Sequence, residues 1–244
     1  MKPIFTQDFE ITGFQVDCFG RLKPSMILFI AQEVAGMHCK ELSLDSDALA
    51  QRHLIWAITR HKVQITRLPM LGQTIRLETW PMPTTRVAYP RSMVAYDSEG
   101  NELFRSISIW VLMDLEKRTM VLPGKSGIDL EGTLRGNELA APGGLVAKSL
   151  SNSRERTVCF TDLDRNLHMN NTRYLDWIID LLPGSFHQEH TLREMTACYL
   201  SEAREGHTLQ LTWDFSQDGT LLVDAFRKTG GKAERIFAAK LLFD

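Results

Sequence analysis

Apolar and polar positions run through the same rhythm twice along the chain. Near the start a strand at about 4–11 precedes VDCFGRLKPSMILFIAQEVAGMHCKEL, where Ile27, Ile30, Ala31, Val34, Ala35 and Met37 recur at helical spacing. Pro24 suits the first turn of that helix, which runs to about Leu42. Four strand-like runs follow, at about 54–67, 72–81, 87–97 and 103–115, punctuated by Pro69, Gly72, the Pro81 to Pro83 stretch and Gly100. The second half repeats the order, with a strand near 154–160, a helix at 171–182, and strands near 190–201, 206–217, 219–228 and 233–243. Within it TLQLTWDFS alternates as a half-buried antiparallel strand does. The pattern predicts an α+β chain made of two halves, each an antiparallel sheet wrapped around a central helix. The halves fall at 1–117 and 151–244, and the glycine-rich stretch 118–150, with few large apolar residues, reads as a linker.

The run TDLDRNLHMNNTRYLDW (161–177) carries the most chemistry. It spaces Asp164, Asn166 and His168 two residues apart, which in an extended segment puts a carboxylate, an amide and an imidazole on one face. Such a trio can orient a base, hold a carbonyl and move a proton near neutral pH. Asn170 or Asn171 can cap the next helix, Tyr174, Leu175, Trp177, Ile178, Leu181 and Leu182 give it an apolar face, and Pro183-Gly184 stop it. The competing reading makes Asp164, Asn166 and Asn170 ordinary turn and cap residues with His168 incidental.

Asp17 to Ser25 and Asp162 to Asn170 both span eight residues, and matching them sets Phe19, Arg21 and Lys23 against Asp164, Asn166 and His168. Chemistry is therefore expected in the second half. The first half is free to form an apolar cavity lined by Ile30, Ala31, Val34, Ala35 and Gly36, the alternative being an ordinary core helix.

At 244 residues the chain is long enough for one large domain or two of about 120. A net charge of −2 excludes a general binder of nucleic acid or membrane surfaces. The N-terminal segment lacks the pattern of a signal peptide and no apolar run approaches the ~18 residues of a membrane span, so a cytoplasmic protein is expected. Cys18, Cys39, Cys159 and Cys198 are scattered, as reduced thiols are. His187 and His190 have i, i+3 spacing, but Pro183-Gly184 beside them argue for a loop; neither a metal nor a cofactor is expected. Arg154, Arg156, Arg165, Arg173 and Arg204 lie around the motif, either as a surface for an acidic partner or as solvated charge.

The same run resembles the SDLDxNxHVNNxKYxxW motif of the plant and bacterial acyl-ACP thioesterases. The likeness extends along nearly the whole chain, through AQEVAGMH, LIWAITRHKVQITRLPMLGQTIRLETWP, SISIWVLMDLEKRTMVLP and MTACYLSEAREG in the family's order. It implies a tandem double hot-dog fold and hydrolysis of the thioester joining a fatty acyl chain to acyl carrier protein, in fatty acid biosynthesis. It also implies Asp164, Asn166 and His168 as active-site residues and adds Glu202 from YLSEARE, which read alone would be a solvated strand-end glutamate. Where the plant motif has cysteine after that glutamate, this chain has Ala203, so a thiol mechanism there is impossible. Other readings are an acyl-CoA thioesterase, a hot-dog enzyme of another reaction type, or a non-catalytic acyl-binding module. Pairing into a homodimer is left open.

Overall fold

The computed structural model describes residues 3–244, Thr229 by its backbone alone. It divides into two compact units, one through Pro142 and one from Gly143 on.

The first unit opens with β1 (Phe5–Glu10), whose residues alternate between half-buried and exposed as a one-sided strand should. A 3-10 turn at Gly13–Gln15 and a tight loop lead into α1 (Pro24–Glu41), with Pro24 in the first turn. A short α2 (Ser46–Ala50), capped by Asp45, precedes β2 (Leu54–Ile65), β3 (Thr74–Pro81), β4 (Tyr89–Tyr96) and β5 (Glu102–Asp114). The strands pair in the order β1-β3-β4-β5-β2, all antiparallel. α1 buries Ile27, Leu28, Ile30, Ala31, Val34, Ala35, His38 and Cys39 against this sheet. Each fully buried Ile or Leu contributes about 1.5–3 kcal/mol. The helix is not apolar all round: Glu33, Gly36, Met37 and Lys40 form an exposed face. Gly36, expected to line a cavity, therefore points outward, because it lies one position past the buried pair Val34 and Ala35 on the helical wheel.

The helix side of this sheet carries an unusual polar row. Arg91 of β4 stands opposite Ser108 of β5, which stands opposite His61 of β2. Directly opposed residues share a face, and Arg91 reaches His38 Nδ1 at 3.1 Å and Cys39 Sγ at 3.8 Å on α1. His61 is buried with neither ring nitrogen hydrogen-bonded, and that burial pushes its imidazole down to about 3.

The stretch 118–150, expected as a linker, is divided between the units and laid against each. β6 (Met120–Val121) pairs with β5, and α3 (Pro123–Ser126) follows. Ile128 joins the core cluster of Cys39, Leu44, Leu49, Leu54, Tyr89 and Leu112, while Leu139 packs on Ala88, Ile107, Ile109 and Val111. A Cβ at Gly132 would overlap the backbone of Met82 and Pro83, so only glycine fits that crossing. Past the boundary, Arg235 Nη1 donates to the Leu145 carbonyl at 2.6 Å.

The second unit repeats the order of the first from β1 through β5. β7 (Asn152–Thr157) and a 3-10 turn at Phe160–Asp162 lead to α4 (Asn171–Ile179), then α5 (Gly184–Glu189), β8 (Leu192–Tyr199), β9 (Thr208–Phe215), β10 (Thr220–Thr229) and β11 (Lys232–Phe243). The pairing order β7-β9-β10-β11-β8 matches that of the first unit strand for strand. α4 is half the length of α1 and ends at Ile179, short of the expected 182. It buries Thr172, Tyr174, Leu175, Trp177 and Ile178, and Tyr174 stacks on Phe237 at 4.6 Å between ring centroids. The segment with His187 and His190 is a one-turn helix rather than a loop, and each ring nitrogen involved meets a carbonyl: His187 Nε2 that of Ile179, His190 Nδ1 that of Asp244.

Candidate active site

The segment holding Asp164, Asn166 and His168 is a tight loop, not an extended strand. Leu163 and Met169 form an isolated antiparallel bridge across it. Between them the Asp164 N–H donates to the His168 carbonyl at 2.8 Å, and the Leu167 N–H to the Asp164 carbonyl at 3.1 Å. Asp164 Oδ1 accepts the backbone N–H of Asn166 at 2.7 Å and that of His168 at 3.2 Å. The aspartate carboxylate thus folds the loop that displays the other two side chains. The turn requires a left-handed residue, and Leu167 takes it at φ 60°, a conformation that costs a branched side chain energy.

From this loop the chain passes directly into α4. The Asn170 side chain caps the helix, accepting from Thr172 N at 2.9 Å and Thr172 Oγ1 at 2.8 Å. The Met169 N–H donates to the Ala203 carbonyl at 2.8 Å, which fastens the loop to the segment after β8. That segment carries Glu202. β8 ends at Tyr199 because Leu200 and Ser201 both donate to the single carbonyl of Ile236, a bulge that turns the chain off the sheet. Glu202 therefore sits in a loop rather than at a strand end. Cys198 stays buried in β8.

The two loops bring His168 Nε2 to 3.0 Å from Glu202 Oε2, with the imidazole mostly buried (15% exposed) and the carboxylate half open to solvent (47%). Arg204 Nη2 lies 3.8 Å from the same oxygen. Asn166 is exposed at the loop tip beside them in sequence. Of the four residues expected to act together, the structure joins His168 and Glu202 directly, ties Asp164 to them through the backbone, and leaves Asn166 on the open side. The pair couples a carboxylate acceptor to an imidazole donor at an accessible surface, an arrangement able to move protons to and from a bound substrate. Among the described residues no group of His, Cys, Asp and Glu has the spacing of a metal site.

Two residues near Glu202 escaped the sequence. Arg227 of β10 donates from Nη1 to the Glu202 carbonyl at 3.3 Å and to His207 Nδ1 at 2.9 Å. His207 Nδ1 also accepts the Arg204 N–H at 3.1 Å. A mid-strand arginine carries no signal of such a role; the Gly206-His207 turn was legible only as a turn. The other arginines around the motif are mostly engaged locally: Arg156 with Asp180 and over the Trp177 ring, Arg154 with the Asp180 carbonyl, and Arg173 with Asp176 and Asp162.

Two units, each with five antiparallel strands in the same order and one helix buried against them, define a tandem double hot-dog protein. The chain belongs to the acyl-ACP thioesterase family: residues 2–122 match the model of its N-terminal domain and residues 146–239 that of its C-terminal domain. Among curated relatives, a chloroplastic palmitoyl-acyl carrier protein thioesterase of Gossypium hirsutum is 26% identical over 233 residues, covering 89% of this chain and 56% of the relative. A chloroplastic dodecanoyl-[acyl-carrier-protein] hydrolase of Cinnamomum camphora is 25% identical over 223 residues, covering 85% of this chain and 58% of the relative. The chain thus spans about half the length of the curated relatives it matches. Among solved structures, an acyl-ACP thioesterase from Bacteroides thetaiotaomicron superposes with a TM-score of 0.90 at 23% identity, covering 99% of this chain and 98% of that one. The 12:0-ACP thioesterase from Umbellularia californica gives 0.83 at 21%, covering 100% and 98%. At these identities the superpositions establish the fold.

Proposed function

We propose that the chain hydrolyses the thioester of fatty acyl-acyl carrier protein and releases the free fatty acid. The observation that carries this reading is the 3.0 Å contact between His168 and Glu202 in the second unit, in a chain of this family. Glu202 takes a proton from water as the water oxygen adds to the thioester carbonyl, or itself adds to the carbonyl and forms a transient anhydride that water then opens. In either course the carbon–sulfur bond breaks and His168 supplies the proton to the departing thiolate. Asn166, on the open side of the loop, offers its amide N–H to the carbonyl oxygen as charge develops there. Asp164 acts through the backbone by holding Asn166 and His168 in one loop. The first unit, with Ile30, Ala31, Val34 and Ala35 buried along α1, selects the acyl chain.

The acyl carrier protein is the partner this function requires. Among the described residues no helix is long and apolar enough to cross a membrane. A cytoplasmic setting is part of the same proposal, supported by the four free cysteines, which suit a reducing compartment. Parallel assays with acyl-ACP, acyl-CoA and enoyl-CoA test the proposal. Thioester cleavage fastest with acyl-ACP is expected, and hydration of enoyl-CoA or binding without turnover would overturn it.

A further inference from the structure

We propose that His207 is a positioning residue: clamped by Arg227, it holds the Glu202 loop against His168 and lets go of that loop when protonated. The inference rests on the thioesterase reading above for its catalytic consequence, but its geometry stands independently.

His207 touches both halves of the site. Its backbone is fixed to the strand that leads into the His168 loop, since the Val158 N–H donates to the His207 carbonyl at 3.0 Å and the Gly206 N–H to the Val158 carbonyl at 2.9 Å. Its side chain is fixed to the Glu202 loop, with Nδ1 accepting from the Arg204 N–H and from Arg227 Nη1. Arg227 in turn holds the Glu202 carbonyl and pairs with Glu234 of β11. Residues Arg204 to His207 form a tight turn, closed by the His207 N–H on the Arg204 carbonyl at 3.0 Å, with Gly206 at φ +80° as its third residue requires.

Because Nδ1 accepts both bonds, the ring is neutral with its proton on Nε2. A proton on Nδ1 would turn that atom into a donor facing two donors, and both bonds would be lost together. The charged neighbours set the balance: burial, then the guanidinium groups of Arg227 and Arg204, hold the imidazole below its ordinary range, and Glu234 opposes them. Glu202 beside Arg204, and Glu205 within the turn itself, are the other charged groups here.

The first unit holds the matching turn with a side chain that cannot titrate. There Met70 to Gln73 repeat the geometry: the Gln73 N–H donates to the Met70 carbonyl at 3.1 Å, Gly72 sits at φ +80°, and Gln73 Oε1 accepts the Met70 N–H at 2.9 Å. The Ile11 N–H donates to the Gln73 carbonyl, as Val158 does to that of His207. Glutamine therefore supplies the same acceptor to the same N–H at every pH.

That comparison selects the variants. His207→Gln keeps the acceptor and removes the proton; His207→Ala removes both. Steady-state rates on acyl-ACP across pH, with amide hydrogen exchange at Arg204 followed on the same proteins, test the proposal. His207→Ala should lower kcat about tenfold, the loss of roughly one hydrogen bond, with KM little changed. His207→Gln should restore most of kcat and give an acid limb governed by one proton rather than two. The protection of the Arg204 N–H, its exchange rate relative to the intrinsic rate at the same pH, should fall in His207→Ala, and in the unchanged protein at acid pH, but not in His207→Gln. A folded His207→Ala protein with unchanged kcat and unchanged Arg204 exchange overturns the inference, as does His207→Gln behaving like His207→Ala. Since the exchange readout needs no substrate, a chain that cleaves no acyl-ACP would defeat the proposed function and still leave the clamp to be judged.

Discussion

Asp164 of the second unit and Asp17 of the first make the same contacts. Asp17 Oδ1 accepts the N–H of Phe19 at 2.8 Å and that of Arg21 at 3.0 Å, as Asp164 Oδ1 accepts those of Asn166 and His168. The Asp17 N–H donates to the Arg21 carbonyl at 2.8 Å, the counterpart of Asp164 and His168. The true partners of Asp164, Asn166 and His168 are therefore Asp17, Phe19 and Arg21. The first unit keeps the loop-forming aspartate and replaces only the two displayed groups. Its Arg21 pairs with Asp17 at 2.9 Å.

If the carboxylate's work is to fold the loop, Asp17→Ala and Asp164→Ala should each destabilise the protein by roughly 1–3 kcal/mol through two lost backbone acceptors. Only Asp164→Ala should also reduce turnover. Denaturant unfolding and acyl-ACP hydrolysis on both proteins check this, and an equal loss of activity in the two would contradict it.

The displayed groups should behave in the opposite way. His168→Ala and Glu202→Gln should each lower turnover by roughly 10²-fold or more, in line with a general acid–base contribution. Their unfolding midpoints should barely move, since neither side chain supports the core. Near-normal rates in both folded variants would remove the pair from the mechanism.

The strand and helix pattern of both units is legible because its periods are long and its breakers plain: Pro24 opens α1, Asn170 caps α4, and a glycine or proline lies within four residues of the ends of β1, β2, β3, β4, β9 and β10. The register between the repeats is not. Matching Ser25 with Asn170 sets Asp17 against Asp162, two residues out, because Ser25 lies inside α1 whereas Asn170 is the cap before α4; the helix starts Pro24 and Asn171 would pair Asp17 with Asp164. The marker that would have corrected the count is a glycine in the left-handed turn position. Gly20 is there in the first unit at φ 75°, but the second unit places Leu167 at that point. The bulge that ends β8 before Glu202 likewise leaves no local mark in the sequence, because it depends on Ile236, far away along the chain.

Chain-length selection should respond to the buried face of α1 and not to its outer face. Ala31→Phe or Ala35→Phe should shift the released acids toward shorter chains, one methylene of mismatch being worth about 1–3 kcal/mol. Gly36→Leu, which meets open space, should leave the product profile unchanged. Analysis of fatty acids from folded, active variants decides it; a shift from Gly36→Leu alone would put the acyl chain elsewhere.

Acid should weaken the first unit through His61. Its folded imidazole is held at about 3 against the ordinary 6.5, so the unfolded chain binds the extra proton first. The stabilisation is fully present above about pH 6.5 and drains away as pH falls from there toward 3. His61→Leu, which removes two unpaired buried nitrogens, should flatten that dependence. Unfolding free energies at pH 7.5 and 4.5 for both proteins would show the difference, and identical slopes would refute the assignment.

The crossing at Gly132 decides where this chain can be cut. A fragment ending at 117, where the strand pattern stops, would lack Ile128 and Leu139 and leave the apolar clusters around Leu112 and Ile107 open to water. The residues that read as a tether thus form a belt around the first unit. Anyone separating the halves to study them alone has to cut after Pro142, and Gly132 has to remain glycine for the belt to close.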